Sequence, residues 1–132
     1  MDGLILVDTS AWICFFDRKG FTDLKESIKT LLDEGRVAVA GPILVELLQG
    51  ARTLREKQSL ERNIRGLHWL RIEDGHWQKA ADLSFALRRK GITISAVDGL
   101  IAAVAISYRC QLLHRDSDFE RIAGYSNLKL FE

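Results

Sequence analysis

The sequence predicts an α/β fold, a three-layer α/β/α sandwich around a mainly parallel central sheet. Three observations predict it. The short continuous apolar run Leu4-Ile5-Leu6-Val7 reads as a strand buried on both faces, the pattern of a parallel sheet covered by helices, with Arg36-Val37-Ala38-Val39-Ala40 as a second short strand and Gln111-Leu112-Leu113 as a short buried one. Between them, apolar residues recur at three- and four-residue spacing, so that strands and helices alternate along the chain. The first and last runs are each followed closely by acids and hydroxyls, Asp8-Thr9-Ser10 and Asp116-Ser117-Asp118. Open α/β sheets bind ligands beyond the carboxyl ends of their strands, which is where these groups fall.

The first strand delivers Asp8, and Ala11 to Phe16 reads as a short apolar helix with aromatics expected in the core, interrupted between Asp17 and Gly20. Thr22 is expected to cap a second, amphipathic helix carrying Leu24, Ile28, Leu31 and Leu32, with Gly35 as its stop. After the second strand, Gly41-Pro42 starts a third helix, Pro being suited to a first turn. That helix places Glu46 among five large apolar side chains and closes at Gly50. A buried carboxylate without a partner costs several kcal/mol, so Glu46 either faces solvent or meets a cation. Residues 52–65 read as a charged helix with Arg52/Glu56 and Glu61/Arg65 at i,i+4 spacing.

Leu67 to Ile72 is expected to be either a third, short strand or an irregular edge, with Trp69 packed. Residues 77–90 return to helix on a stripe that includes Trp77, Ala80, Leu83 and Leu87 and ends in Arg88-Arg89-Lys90-Gly91. Ser95 with Asp98 resembles a capping box opening the most apolar helix, 99–106, which is too short for a bilayer and belongs in the core. After the strand at 111–113, Asp116 and Asp118 precede a helix over 119–123, and 127–131 is expected to be a final strand.

At 132 residues and 47% hydrophobic, the chain fits one domain, 1–132, large enough for a real core. Nineteen Lys and Arg against 18 Asp and Glu leave a net charge of +1, which excludes a strongly basic binder but allows local basic patches. The start of the chain lacks the basic, apolar pattern of a leader, and no run is long enough to span a membrane; a soluble, cytoplasmic protein is expected. Cys14 and Cys110 have neither CxxC nor Cys/His spacing and are expected to be packed, reduced thiols.

Each acid has an ordinary explanation as a cap or a solvated charge. Together they share a pattern, since Asp8 and Asp116 follow strands while Glu46 and Asp98 lie on largely apolar helices, positions that a doubly wound sheet can bring to one end. Carboxylates gathered in one cleft stay ionised only if cations neutralise them or protons are shared. Two Mg²⁺ or Mn²⁺ would balance four charges, and oxygen ligands without Cys or His clusters favour these ions over Zn²⁺. Phosphodiester hydrolysis suits such a site, because metal-activated water leaves no requirement for a nucleophilic side chain.

With their surroundings, the acids resemble the PIN-domain nucleases and, more closely, the VapC-type toxins of toxin–antitoxin pairs. The resemblance runs nearly end to end, through LILVDTSAW at 4–12, PILVELLQGA at 42–51, LRRKGITISAVDGLIAAVAI at 87–106 and LLHRDSDFERIA at 112–123. It implies that the acidic set falls on Asp8, Glu46, Asp98 and Asp116, with Asp118 an additional acid near the metals and Ser10 a supporting hydroxyl. It also implies a PIN-like sandwich, Mg²⁺- or Mn²⁺-dependent endoribonuclease activity, a cognate antitoxin and a homodimer. His114 departs from the pattern, standing where relatives often carry threonine, and is expected to pack or to contact substrate rather than act as general base.

On this basis Asp8 and Asp98 are expected to be primary ligands of a first metal, Glu46 to assist or orient water, and Asp116 with Asp118 to hold a second metal or a water. Arg52, Arg55, Arg88, Arg89 and Arg115 are candidate contacts to RNA phosphates. A receiver-like signalling domain with one Mg²⁺ is disfavoured, because Asp8 has no adjacent acid and His114-Arg115 stands where a receiver would carry lysine. An inactive RNA-binding relative would be expected to lack an acid, and none is missing. A housekeeping RNA-processing nuclease remains open, with an adjacent antitoxin reading frame as the discriminating feature.

Overall fold

The structure, a computed structural model, describes residues 3–132. In chain order the elements are β1 (Ile5–Val7), α1 (Thr9–Phe16), α2 (Thr22–Asp33), β2 (Val37–Val39), α3 (Gly41–Gln49), α4 (Leu54–Arg65), β3 (His68–Trp69), α5 (Asp74–Arg88), α6 (Ala96–Ser107), β4 (Gln111–Leu113) and α7 (Ser117–Gly124). The strands form one sheet in the order β3-β2-β1-β4, and every pairing is parallel, with Ile5 opposite both Val37 and Gln111. Helices α1 to α4 pack among themselves, as do α5 to α7. The expected α/β sandwich is present, and β1 and β2 are wholly buried within it.

The strand order locates the ligand crevice. From β1 the chain steps outward to β2 and β3, then returns through α5 and α6 to lay β4 on the other side of β1. The direction of winding therefore reverses between β1 and β4, which makes the gap beyond their carboxyl ends the topological switch point. Asp8 and the segment 114–116 are the two lips of that gap, and the Asp8 N–H donates to the Leu113 carbonyl across it at 2.9 Å.

Glycine matters at two places. Gly35, at φ +66°, ends α2 in the left-handed conformation, and the N–H groups of Gly35 and Arg36 close back onto the carbonyls of Leu32 and Leu31. Gly99, next to Asp98, lets α6 press against α5: a Cβ there would stand 2.8 Å from Ser84 Oγ and 3.4 Å from Ile94 Cδ1. That close approach places the first turn of α6.

Several expectations change at the edges. Phe21, not Thr22, occupies the cap position of α2, in a left-handed conformation and without a side-chain cap. Arg52 lies outside α4, so its spacing to Glu56 produces no ion pair; Thr53 caps the helix instead, its Oγ1 accepting from the Glu56 N–H at 3.1 Å. The Glu61/Arg65 pair does form, at 3.7 Å. Trp69 is 45% exposed on edge strand β3 and Trp77 is 57% exposed on α5; His76 takes the buried place instead. Its Nδ1 accepts from the Glu73 N–H and its Nε2 meets Ser107 Oγ at 3.1 Å, pinning α5 to the end of α6. In α1 only Trp12 among the aromatics is fully buried. The expected last strand reduces to a single bridge from Leu130 to Leu112. Cys110 is buried, Cys14 half-buried, and both are free thiols. No helix among the described residues is long and apolar enough to cross a membrane.

Candidate metal centre

Asp8 leaves the end of β1 buried, at 6% exposure, and caps α1 with one oxygen: Oδ2 accepts from the Ser10 N–H at 3.0 Å and from Ser10 Oγ at 2.6 Å. The same Ser10 hydroxyl accepts from the Arg115 N–H at 2.9 Å. One side chain thus ties the end of β1 to the segment after β4. Across the gap, Asp116 caps α7, with Oδ1 accepting from the Asp118 N–H at 2.9 Å. Asp98 sits in the first turn of α6, its N–H bound to Ser95 Oγ at 3.1 Å, and Asp118 in the first turn of α7, ion-paired with Arg121. The capping roles expected for these residues are real. They do not exclude ligation, because capping engages one oxygen of Asp8 and one of Asp116.

The structure draws Asp98, Asp116 and Asp118 closest together: one oxygen from each lies within 4.8 Å of the other two. Asp8 is outside this trio but near enough to act on it. Burial, followed by the negative charges of Asp116 and Asp8, pushes the Asp98 carboxyl up from 3.8 to about 6, with Asp118 adding to the effect and a hydrogen bond from Ser95 opposing it. Glu46 is also outside the trio. It is half-buried on α3, and Thr9 Oγ1 donates to its Oε1 at 2.7 Å. Thr9 is the participant that sequence reasoning missed. Its hydroxyl was visible between Asp8 and Ser10, but its partner lies 37 residues away.

The donor set fits a hard divalent cation. The trio supplies carboxylate oxygens alone, with no thiolate or imidazole, and a cation would offset both the burial and the neighbouring negative charges that raise the Asp98 carboxyl. His114 is buried with Nδ1 occupied by the Asp116 N–H at 3.0 Å, so that nitrogen is not free to ligate. All five candidate arginines are exposed and lack carboxylate partners among the described residues. Arg115 alone among them lies in the segment that carries the acids, its Nη1 donating to the His114 carbonyl at 2.7 Å; Arg89 covers the Phe85 ring at 5.7 Å.

Comparison with known proteins agrees with this architecture. The sequence pattern of the PIN domain matches residues 5–125. The chain belongs to the PIN-domain family. Among relatives of this PIN domain, VapC ribonuclease Mb1587 of Mycobacterium bovis is 39% identical over 129 residues, covering 96% of both chains. Ribonuclease VapC11 of Mycobacterium tuberculosis matches equally well, 39% over 129 residues and 96% of each. Among solved structures, VapBC2 from Rickettsia felis, bound to a DNA fragment from its promoter, superposes with a TM-score of 0.79 over 97% of both chains at 21% identity. At that identity the superposition shows that the two PIN domains share a fold.

Proposed function

We propose that this PIN domain is a metal-dependent endoribonuclease and the toxin of a toxin–antitoxin pair. The observation that carries the reading is the meeting of Asp98, Asp116 and Asp118 beside Asp8 at the switch point of the sheet. The relatives named VapC ribonuclease, 39% identical over nearly the whole chain, support the substrate class. Asp98 and Asp116, with Asp118 and Asp8, hold the cation, and Mg²⁺ or Mn²⁺ suits their oxygen donors. A bound cation of this kind supplies charge neutralisation at the phosphate and an acidified water.

The protein's own part is positioning. Ser10 fixes Asp8 against the segment after β4, and Thr9 fixes Glu46 through Oε1, leaving Oε2 to orient water. No side-chain nucleophile is required. Arg115, with Arg52, Arg55, Arg88 and Arg89, contacts RNA phosphates, for which binding that weakens steeply with salt is the expected signature. A cognate antitoxin and a second copy of the chain complete the assembly.

The test is cleavage of a panel of folded and single-stranded RNAs by antitoxin-free protein in Mg²⁺, Mn²⁺ or EDTA. Cutting that requires the cation supports the proposal. Folded, inhibitor-free protein that cuts nothing in either metal refutes it.

A further inference from the structure

His114 is the residue of this region that the metal chemistry leaves unassigned. It is buried, at 9% exposure, on the turn between β4 and α7, with its ring packed at 5.5 Å against Phe119, a fully buried side chain. One ring nitrogen has an assigned role as an acceptor. The Asp116 N–H donates to Nδ1 at 3.0 Å; a backbone N–H can only donate, so the neutral ring carries its proton on Nε2.

That bond belongs to a set. Between β4 and the body of α7, the N–H groups of Arg115, Asp116 and Asp118 all end on side-chain acceptors: Ser10 Oγ at 2.9 Å, His114 Nδ1 at 3.0 Å and Asp116 Oδ1 at 2.9 Å. Satisfying them this way gives the turn one conformation without a β ladder or a helix to impose it. Two of the acceptors serve residues on either side of the Asp116 peptide, and the third is Asp116 itself. The imidazole is thus one of three side-chain acceptors that hold the backbone carrying Asp116.

We propose that His114 is a positioning residue, whose Nδ1 accepts the Asp116 N–H and so fixes the turn that presents Asp116 to the cation beside Asp98 and Asp118. It touches neither substrate nor metal. The proposal rests on the reading of Asp98, Asp116 and Asp118 as a cation site, and it commits to one nitrogen of the ring. Asparagine can place Oδ1 close to where Nδ1 stands, glutamine reaches toward the Nε2 position, and leucine keeps bulk while removing the acceptor.

The experiment measures Mn²⁺ affinity by calorimetry for the wild type, His114→Asn, His114→Gln and His114→Leu, beside hydrogen exchange at the Asp116 amide and imidazole nitrogen spectra of the wild type. Supporting results are an Nε2–H tautomer, a protected Asp116 amide, a loss of affinity of about 10- to 100-fold in His114→Leu, the range typical of groups that orient ligands, and recovery to within about threefold in His114→Asn but not in His114→Gln. If His114→Leu does not fold, the Asn and Gln pair decides alone. Wild-type affinity in His114→Leu or His114→Gln, or equal losses in folded Asn and Gln variants, overturns the positioning role while leaving the cation site standing. A wild type that binds no Mn²⁺ overturns the cation site, and the proposal with it.

Discussion

Replacing Asp98 by asparagine should move stability and activity in opposite directions. The substitution preserves shape and leaves the backbone bond from residue 98 to Ser95 Oγ intact. It removes a charge that the metal-free site disfavours, since burial, Asp116 and Asp8 carry the Asp98 carboxyl from 3.8 to about 6. Raising proton affinity roughly a hundredfold would correspond to about 3 kcal/mol in full, at about 1.4 kcal/mol per tenfold. The group is only half-buried, and solvent screening reduces this to on the order of 1 kcal/mol at pH 7. In EDTA the variant should therefore melt about 3–5 °C above the wild type. Cleavage should fall by more than about 100-fold, beyond the range of residues that only support a ligand. Thermal melts in EDTA and in Mn²⁺, beside a cleavage time course, measure both effects. A variant that melts below the wild type in EDTA, or cuts at the wild-type rate, would show that Asp98 is not an ion-starved ligand.

The same carboxyl sets a pH dependence. Because its folded value is raised, the native protein binds more protons than the unfolded chain between pH 3.8 and about 6, so Asp98's contribution to metal-free stability falls as pH rises through that window. Mn²⁺ affinity should run the other way, weakening below about pH 6 as the proton competes, and titrations from pH 5 to 8 check this. Thr9→Val should lower cleavage by about tenfold by releasing Glu46, with Thr9→Ser close to wild type, in single-turnover assays at saturating RNA. Gly99→Ala should destabilise the fold by about 1–3 kcal/mol, because its Cβ would meet Ser84 Oγ at 2.8 Å. Adding Ser84→Ala should restore part of that loss in urea unfolding; strict additivity would place the strain elsewhere.

What could be read from the chain depended on how far apart the interacting residues lie. Continuous apolar runs and helical spacing located β1, β2, β4 and the core helix α6, because burial on both faces leaves a local mark in sequence. The acids were legible for a related reason, since a carboxylate after an apolar strand or within an apolar helix conflicts with its neighbours. Local cues failed where exposure decides: Trp77 fits an apolar stripe by spacing, yet the buried place on that turn goes to His76, whose partner Ser107 is 31 residues away.

Within the site, sequence could name Asp8 and Asp116 but not show that Ser10 joins their segments, because the Ser10–Arg115 bond spans 105 residues. Nor could it rank the acids by proximity. Asp98, Asp116 and Asp118 form the tightest group because α6 and α7 both begin at the switch point, whereas Glu46 enters from α3 on a tether to Thr9. Capping and ligation looked like competing explanations in the sequence, and the structure shows the capping. Asp8 and Asp116 each give one oxygen to the start of a helix, so the backbone that they cap holds them in place while the other oxygen takes no part in the cap, and capping leaves ligation open.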